Sequence, residues 1–81
     1  LREEIDQLDK QLWEIIGKRV DVARQIGEWK HQHGEQIVQP ERWQQVVEHC
    51  LSQGKQHGLS EELVHKVMEA LHKESINVET R

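Results

Sequence analysis

Two cations stand where a helix would be expected to bury carbon. Arg19 falls in the gap of an apolar series formed by Leu1, Ile5, Leu8, Leu12, Ile15, Val22 and Ile26, which recur at helical steps of three and four. Lys30 lies 11 residues further on, about 1100° of rotation and so within roughly 20° of the same face. A guanidinium on a buried stripe costs several kcal/mol unless an anion meets it. That anion is either one of the chain's 15 carboxylates, in an interchain salt bridge, or a ligand. No acid lies on the stripe between the two cations. Their Cα atoms are about 16 Å apart along the axis, so the two long side chains, leaning toward each other, leave a gap the size of a small dianion.

Further along, Arg42 adds a cation, and Ser75 and Glu79 stand one turn apart on one helix face. Cys50 falls on the apolar face of its segment, where it reads as a small core residue rather than a nucleophile. Six histidines include the pairs His31/His33 and His65/His72, which lack the one-turn spacing and third ligand of a zinc site, so no metal is expected. Trp13, Trp29 and Trp43 read as packing residues. Nothing resembles a catalytic triad or a phosphate loop.

The elements that must hold these residues are helices. Leu1 to about His31 reads as one helix of roughly 45 Å, too long to be covered by the remaining 50 or so residues folding back, so the stripe predicts a partner chain. Gly17 inside it costs about 1 kcal/mol relative to alanine, and close packing against a partner would explain it. His31-Gln32-His33-Gly34 ends the helix, with Gly34 as a left-handed cap, and residues 35–39 form a loop. Pro40 suits the first turn of a second helix, with Trp43, Val46, Val47, Cys50 and Leu51 marking its buried face to about Gln53. Gly54 and Gly58 bracket the next turn. Ser60 caps a third helix, followed by Glu61 and Glu62 in its first turn and continued by Val64, Val67, Met68, Leu71 and Ser75, and the pattern frays after Val78. The expected fold is all-α, one long and two shorter helices in a single domain over residues 1–81.

Composition points the same way. A hydrophobic fraction of 35% is low for a chain of 81 residues that must bury a core alone, which favours an oligomer. The net charge of −4 argues against a general nucleic-acid binder. One cysteine permits no intrachain disulfide and suits the reducing cytoplasm. No apolar run is long enough for a membrane span. The chain begins without Met and inside an amphipathic pattern, as a segment cut from a longer protein would.

Leu1-Arg2-Glu3-Glu4-Ile5-Asp6-Gln7-Leu8-Asp9, Lys18-Arg19, Ile26-Gly27-Glu28-Trp29-Lys30, Pro40-Glu41-Arg42 and Glu74-Ser75 together resemble the all-helical chorismate mutase family over nearly the whole chain. The resemblance implies an intertwined dimer of three-helix protomers that converts chorismate to prephenate by a Claisen rearrangement, without a cofactor. It implies that Arg19, with Arg2 of the partner subunit, grips the substrate's two carboxylates, a task suited to the guanidinium fork. Lys30 matches the cation at the ether oxygen and a carboxylate, Glu79 the position facing the ether oxygen, and Arg42 and Ser75 further polar positions of the pocket. The chain departs from the family pattern twice. Trp43 stands where an acidic residue usually accepts from the substrate hydroxyl, and Gln39 where an aspartate is common. Such domains are often fused to other shikimate-pathway enzymes. The rival expectations are a non-catalytic regulatory or docking module and an isochorismate pyruvate lyase.

Overall fold

The computed structural model describes residues 1–80. Three helices follow one another, α1 over Arg2–His33, α2 over Pro40–Gln56 and α3 over Glu61–Glu79, with no strand among the described residues. At 1.5 Å per residue the 32 residues of α1 account for the molecule's longest dimension, 48 Å against 24 and 15 Å for the others. The radius of gyration, 14.6 Å, exceeds the roughly 12 Å of a compact chain this size. Helix α3 is the hub: it packs on α1 along one flank and on α2 along another. Among the described residues no helix is long and apolar enough to cross a membrane.

The helix ends follow local chemistry. Gly34 adopts φ 66°, and the Glu35 N–H donates to the Lys30 carbonyl at 2.9 Å, so the left-handed stop falls where the glycine allows it. His31, Gln32 and His33 lie inside α1 rather than in its terminating segment, because nothing before Gly34 breaks the helix. Pro40 opens α2, and the Ser60 hydroxyl caps α3 by accepting from the Leu63 N–H at 3.1 Å.

Two boundaries differ from the sequence reading. Helix α2 runs past Gln53 to Gln56, carrying Gly54 inside it. Gly54 is buried because α3 approaches there, and a Cβ would run into Cγ2 of Val64. The glycine marks a helix crossing, and the turn falls beyond it, at Gly58 with φ 74°. Helix α3 does not fray after Val78: Val78 and Glu79 are among the most buried residues, at 5% and 8% exposure. Gly54→Val should lower stability by about 2 kcal/mol, since overpacking against a stiff, β-branched Val64 is not relieved by a better helix former. A lower urea midpoint with unchanged slope is the expected reading.

The predicted stripe of α1 and the face it uses within the chain are different. Ile16, Val20, Ala23 and Gly27, spaced by four, three and four, turn toward α3. Leu1, Ile5, Leu8, Leu12 and Ile15 remain exposed, Leu12 at 48% and Ile5 at 59%. On α3, Val67 is likewise 45% exposed, while Val64 and Met68 are buried. Gly17 meets nothing within 4 Å of where a Cβ would stand.

Candidate active site

The C-terminal half of α1, the start of α2 and the C-terminal half of α3 enclose a pocket of about 400 Å³, within the range of small-molecule sites. Its polar lining is Arg19 and Lys30 from α1, Gln39 and Arg42 from the start of α2, and His72, Ser75 and Glu79 from α3; Val22, Ile26, Ile37 and Val46 supply apolar wall.

Arg19 is partly buried and has no carboxylate partner among the described residues; its Nη1 donates to the Ser75 hydroxyl at 3.1 Å. Among the described residues, therefore, no carboxylate neutralises the cation on the stripe. Lys30 is held more tightly. Its Nζ donates to Glu79 Oε1 at 3.0 Å and to the Ile37 carbonyl at 3.0 Å, with only 14% of the Lys30 and 8% of the Glu79 side chain exposed. An ammonium has three N–H groups, so one is left for the pocket. The acid that meets Lys30 comes from another helix, which the stripe alone does not reveal.

The approach that makes this ion pair is set by Gly27. A Cβ there would lie 2.7 Å from the Glu79 Cα, so only glycine lets the last turn of α3 close on α1 and bring Glu79 up to Lys30.

On the opposite wall Trp43 and His72 stack, with ring centroids 3.8 Å apart and planes inclined by 12°. Trp43 is half-buried and lines the pocket with its face against His72, so it is neither a simple core residue nor a free surface one. The His72 pKa lies below the ordinary imidazole value, first because burial disfavours the cation, then because Arg19 and Lys30 repel it, with Glu79 opposing. The ring is neutral at neutral pH. Gln39 lines the pocket while its amide nitrogen donates to the Gln36 carbonyl at 3.2 Å. Arg42 reaches the lining from an exposed position.

Of the eight site residues expected from the sequence, seven line this pocket: Arg19, Lys30, Gln39, Arg42, Trp43, Ser75 and Glu79. Arg2 does not. It starts α1, 17 residues or about 25 Å along the helix from Arg19. His72, which the sequence offers only as a metal ligand, is the lining residue missed. Its spacing to Ser75 and Glu79, three and seven residues, puts all three on one face of α3.

The arrangement can bind a compact dianion, hold it against apolar walls and place an N–H where charge grows. It holds no nucleophile poised beside a base. A T-protein of Haemophilus influenzae is 36% identical over 75 residues, covering 93% of this chain but 20% of the relative; the chain thus spans about a fifth of that protein. A 4-amino-4-deoxychorismate mutase of Streptomyces venezuelae is 30% identical over 98% of this chain and 77% of its own length. A chorismate mutase of Methanocaldococcus jannaschii is 28% identical over 88% of this chain and 72% of its own. The family described as chorismate mutase type II matches residues 1–80, and the chain belongs to it.

Proposed function

We propose that this chain is a dimeric chorismate mutase domain that rearranges chorismate to prephenate. The observation that carries the reading is the pair of α1 cations facing one cavity, Arg19 without a carboxylate among the described residues and Lys30 with an N–H to spare. The reaction breaks a C–O bond and forms a C–C bond within one molecule, so no nucleophile, proton donor or base is required. What it requires is the compact chair conformer, held so that the two carbons meet, and positive charge at the ether oxygen as the C–O bond stretches. Arg19 and Arg2 of the partner subunit take the two carboxylates, Arg42 and Ser75 complete the polar wall, and Lys30 turns its remaining N–H to the ether oxygen and a carboxylate.

Substrate choice follows from charge. The lining offers three cations, Arg19, Lys30 and Arg42, against one carboxylate, Glu79. That surplus suits two carboxylates and disfavours a third substituent that is itself cationic. Chorismate, with its neutral hydroxyl, therefore fits better than the amino analogue that names the Streptomyces relative.

The exposed apolar row Leu1, Ile5, Leu8, Leu12 and Ile15 and the open space at Gly17 support an intertwined dimer in which two α1 helices run antiparallel. The length of the T-protein relatives outside the match supports a fused or associated shikimate-pathway enzyme. A single free cysteine, Cys50, suits action in the cytoplasm.

The test is turnover. Purified chain mixed with chorismate should deplete its absorbance and yield prephenate. Release of pyruvate from isochorismate instead would make it a lyase, and binding without any product would make it a docking module.

Glu79 gives a second check. An ionised carboxylate beside the ether oxygen repels the charge that forms there, whereas a protonated one donates. Glu79→Gln keeps an oxygen for Lys30 and adds an N–H that can donate, so its kcat/KM should equal or exceed that of the wild type. A Glu79→Gln variant that folds normally but loses activity would remove this role from Glu79.

A further inference from the structure

Chorismate carries four polar features: two carboxylates, an ether oxygen and one ring hydroxyl. The charged residues account for the first three, and the hydroxyl needs a partner of another kind. It is neutral, and it is best recognised by a neutral acceptor that the fold holds still and has not already committed.

Most of the polar lining fails one of these conditions. Arg19, Lys30 and Arg42 are cations and donors only. Glu79 is the ion-pair partner of Lys30 and so not a neutral acceptor, and the Ser75 oxygen already accepts from Arg19. Trp43 has one N–H and no acceptor. Gln39 has an open oxygen, but it is held only by one exposed 3.2 Å bond from its amide nitrogen to the Gln36 carbonyl of the loop before α2, a weaker hold than a ring stacked between two helices. His72 meets every condition. It lines the cavity, its ring plane is fixed at 3.8 Å against Trp43, and among the described residues neither ring nitrogen has a hydrogen-bond partner. A neutral imidazole has one acceptor nitrogen and one N–H. Beside Arg19 and Lys30 a neutral acceptor adds no repulsion, and burial first of all, helped by these two cations and opposed by Glu79, disfavours a proton on the second nitrogen.

We infer that His72, clamped flat by Trp43, is the residue that recognises the substrate's ring hydroxyl, with Trp43 as its positioning residue. The inference rests on the chorismate mutase reading above. It also accounts for Trp43, which stands where an acid would otherwise accept. The indole gives up that acceptor and instead supplies the plate that orients a different one.

The experiment is a cycle of two variants and two substrates, chorismate and its analogue lacking the ring hydroxyl. In wild type the analogue should lose about tenfold or more in kcat/KM, because the site is left with an unmet acceptor. His72→Phe keeps an aromatic face for Trp43 and removes both nitrogens. It should lower kcat/KM for chorismate by a similar factor, leave the analogue unchanged and so abolish the preference. His72→Gln, which keeps a neutral acceptor, should retain part of it. Circular dichroism melts identify a misfolded variant, and if His72→Phe misfolds the same ratio is read on His72→Leu. A structural role alone would depress both substrates together, and that result overturns the assignment. Survival of the full preference in His72→Phe overturns it too, as does its loss in Gln39→Ala. A wild-type chain that turns over neither substrate overturns the mutase reading and this assignment with it, whereas turnover insensitive to His72 removes only the assignment.

Discussion

Replacing Arg19 by alanine is expected to lower kcat/KM for chorismate at least about 100-fold while leaving a folded protein. Contacts from a fixed cation to charge in a site closed to water are worth roughly 3 kcal/mol or more, and that figure converts to a little over two orders of magnitude in rate. The structure sharpens the expectation in one respect. Arg19 makes one hydrogen bond within the chain, to the Ser75 hydroxyl, and no ion pair among the described residues. Its removal therefore breaks no salt bridge that holds α1 to α3. Arg19→Met should keep or raise the thermal midpoint, since a desolvated cation without its anion is exchanged for an apolar side chain of similar length. A loss of stability in step with the loss of activity would instead assign Arg19 to the scaffold. An alanine variant with near-full activity would remove it from the site.

What the sequence reveals of this site depends on whether the signal lies in a side chain or in a gap between helices. Arg19 and Lys30 are legible because a charge on an apolar stripe breaks a pattern, and the pattern is local to one helix. The Lys30–Glu79 pair joins residues 49 apart, and nothing local to Lys30 points to it. What permits that pair is Gly27, where the missing Cβ lets Glu79 approach. A glycine leaves no hydropathy signal, so the face α1 turns to α3 is easily passed over in favour of the richer stripe beside it. Gly54 misleads for the same reason: a buried glycine that permits a crossing with Val64 looks, in sequence, like a turn. His72 is legible in principle, three residues before Ser75 and seven before Glu79, but a histidine counted among six is first weighed as a metal ligand. The stack with Trp43 exists only once α2 and α3 are paired.

The most legible row, Leu1 to Ile15, is the one the protomer leaves in water, and it sets the expectation with the largest contrast between outcomes. Arg2 and Arg19 are about 25 Å apart on one rigid helix and cannot clasp the same small molecule. If two α1 helices pair antiparallel through their exposed rows, Arg2 of the partner subunit comes to the Arg19 end, and each dimer holds two shared sites. Arg2→Ala and Arg19→Ala chains should then each be nearly inactive alone. Unfolded together and refolded as an equal mixture, they should regain about a quarter of wild-type activity: half the dimers are mixed, and each mixed dimer joins an intact Arg19 to an intact Arg2 in one of its two sites, while the other site lacks both. The gain must also follow the mixing ratio, peaking at equal amounts. A pair of chains that recover nothing would show that Arg2 and Arg19 do not meet across an interface. Sedimentation as a monomer at the assay concentration would count equally against the shared site, because a lone protomer keeps its own Arg2 about 25 Å along α1 from Arg19.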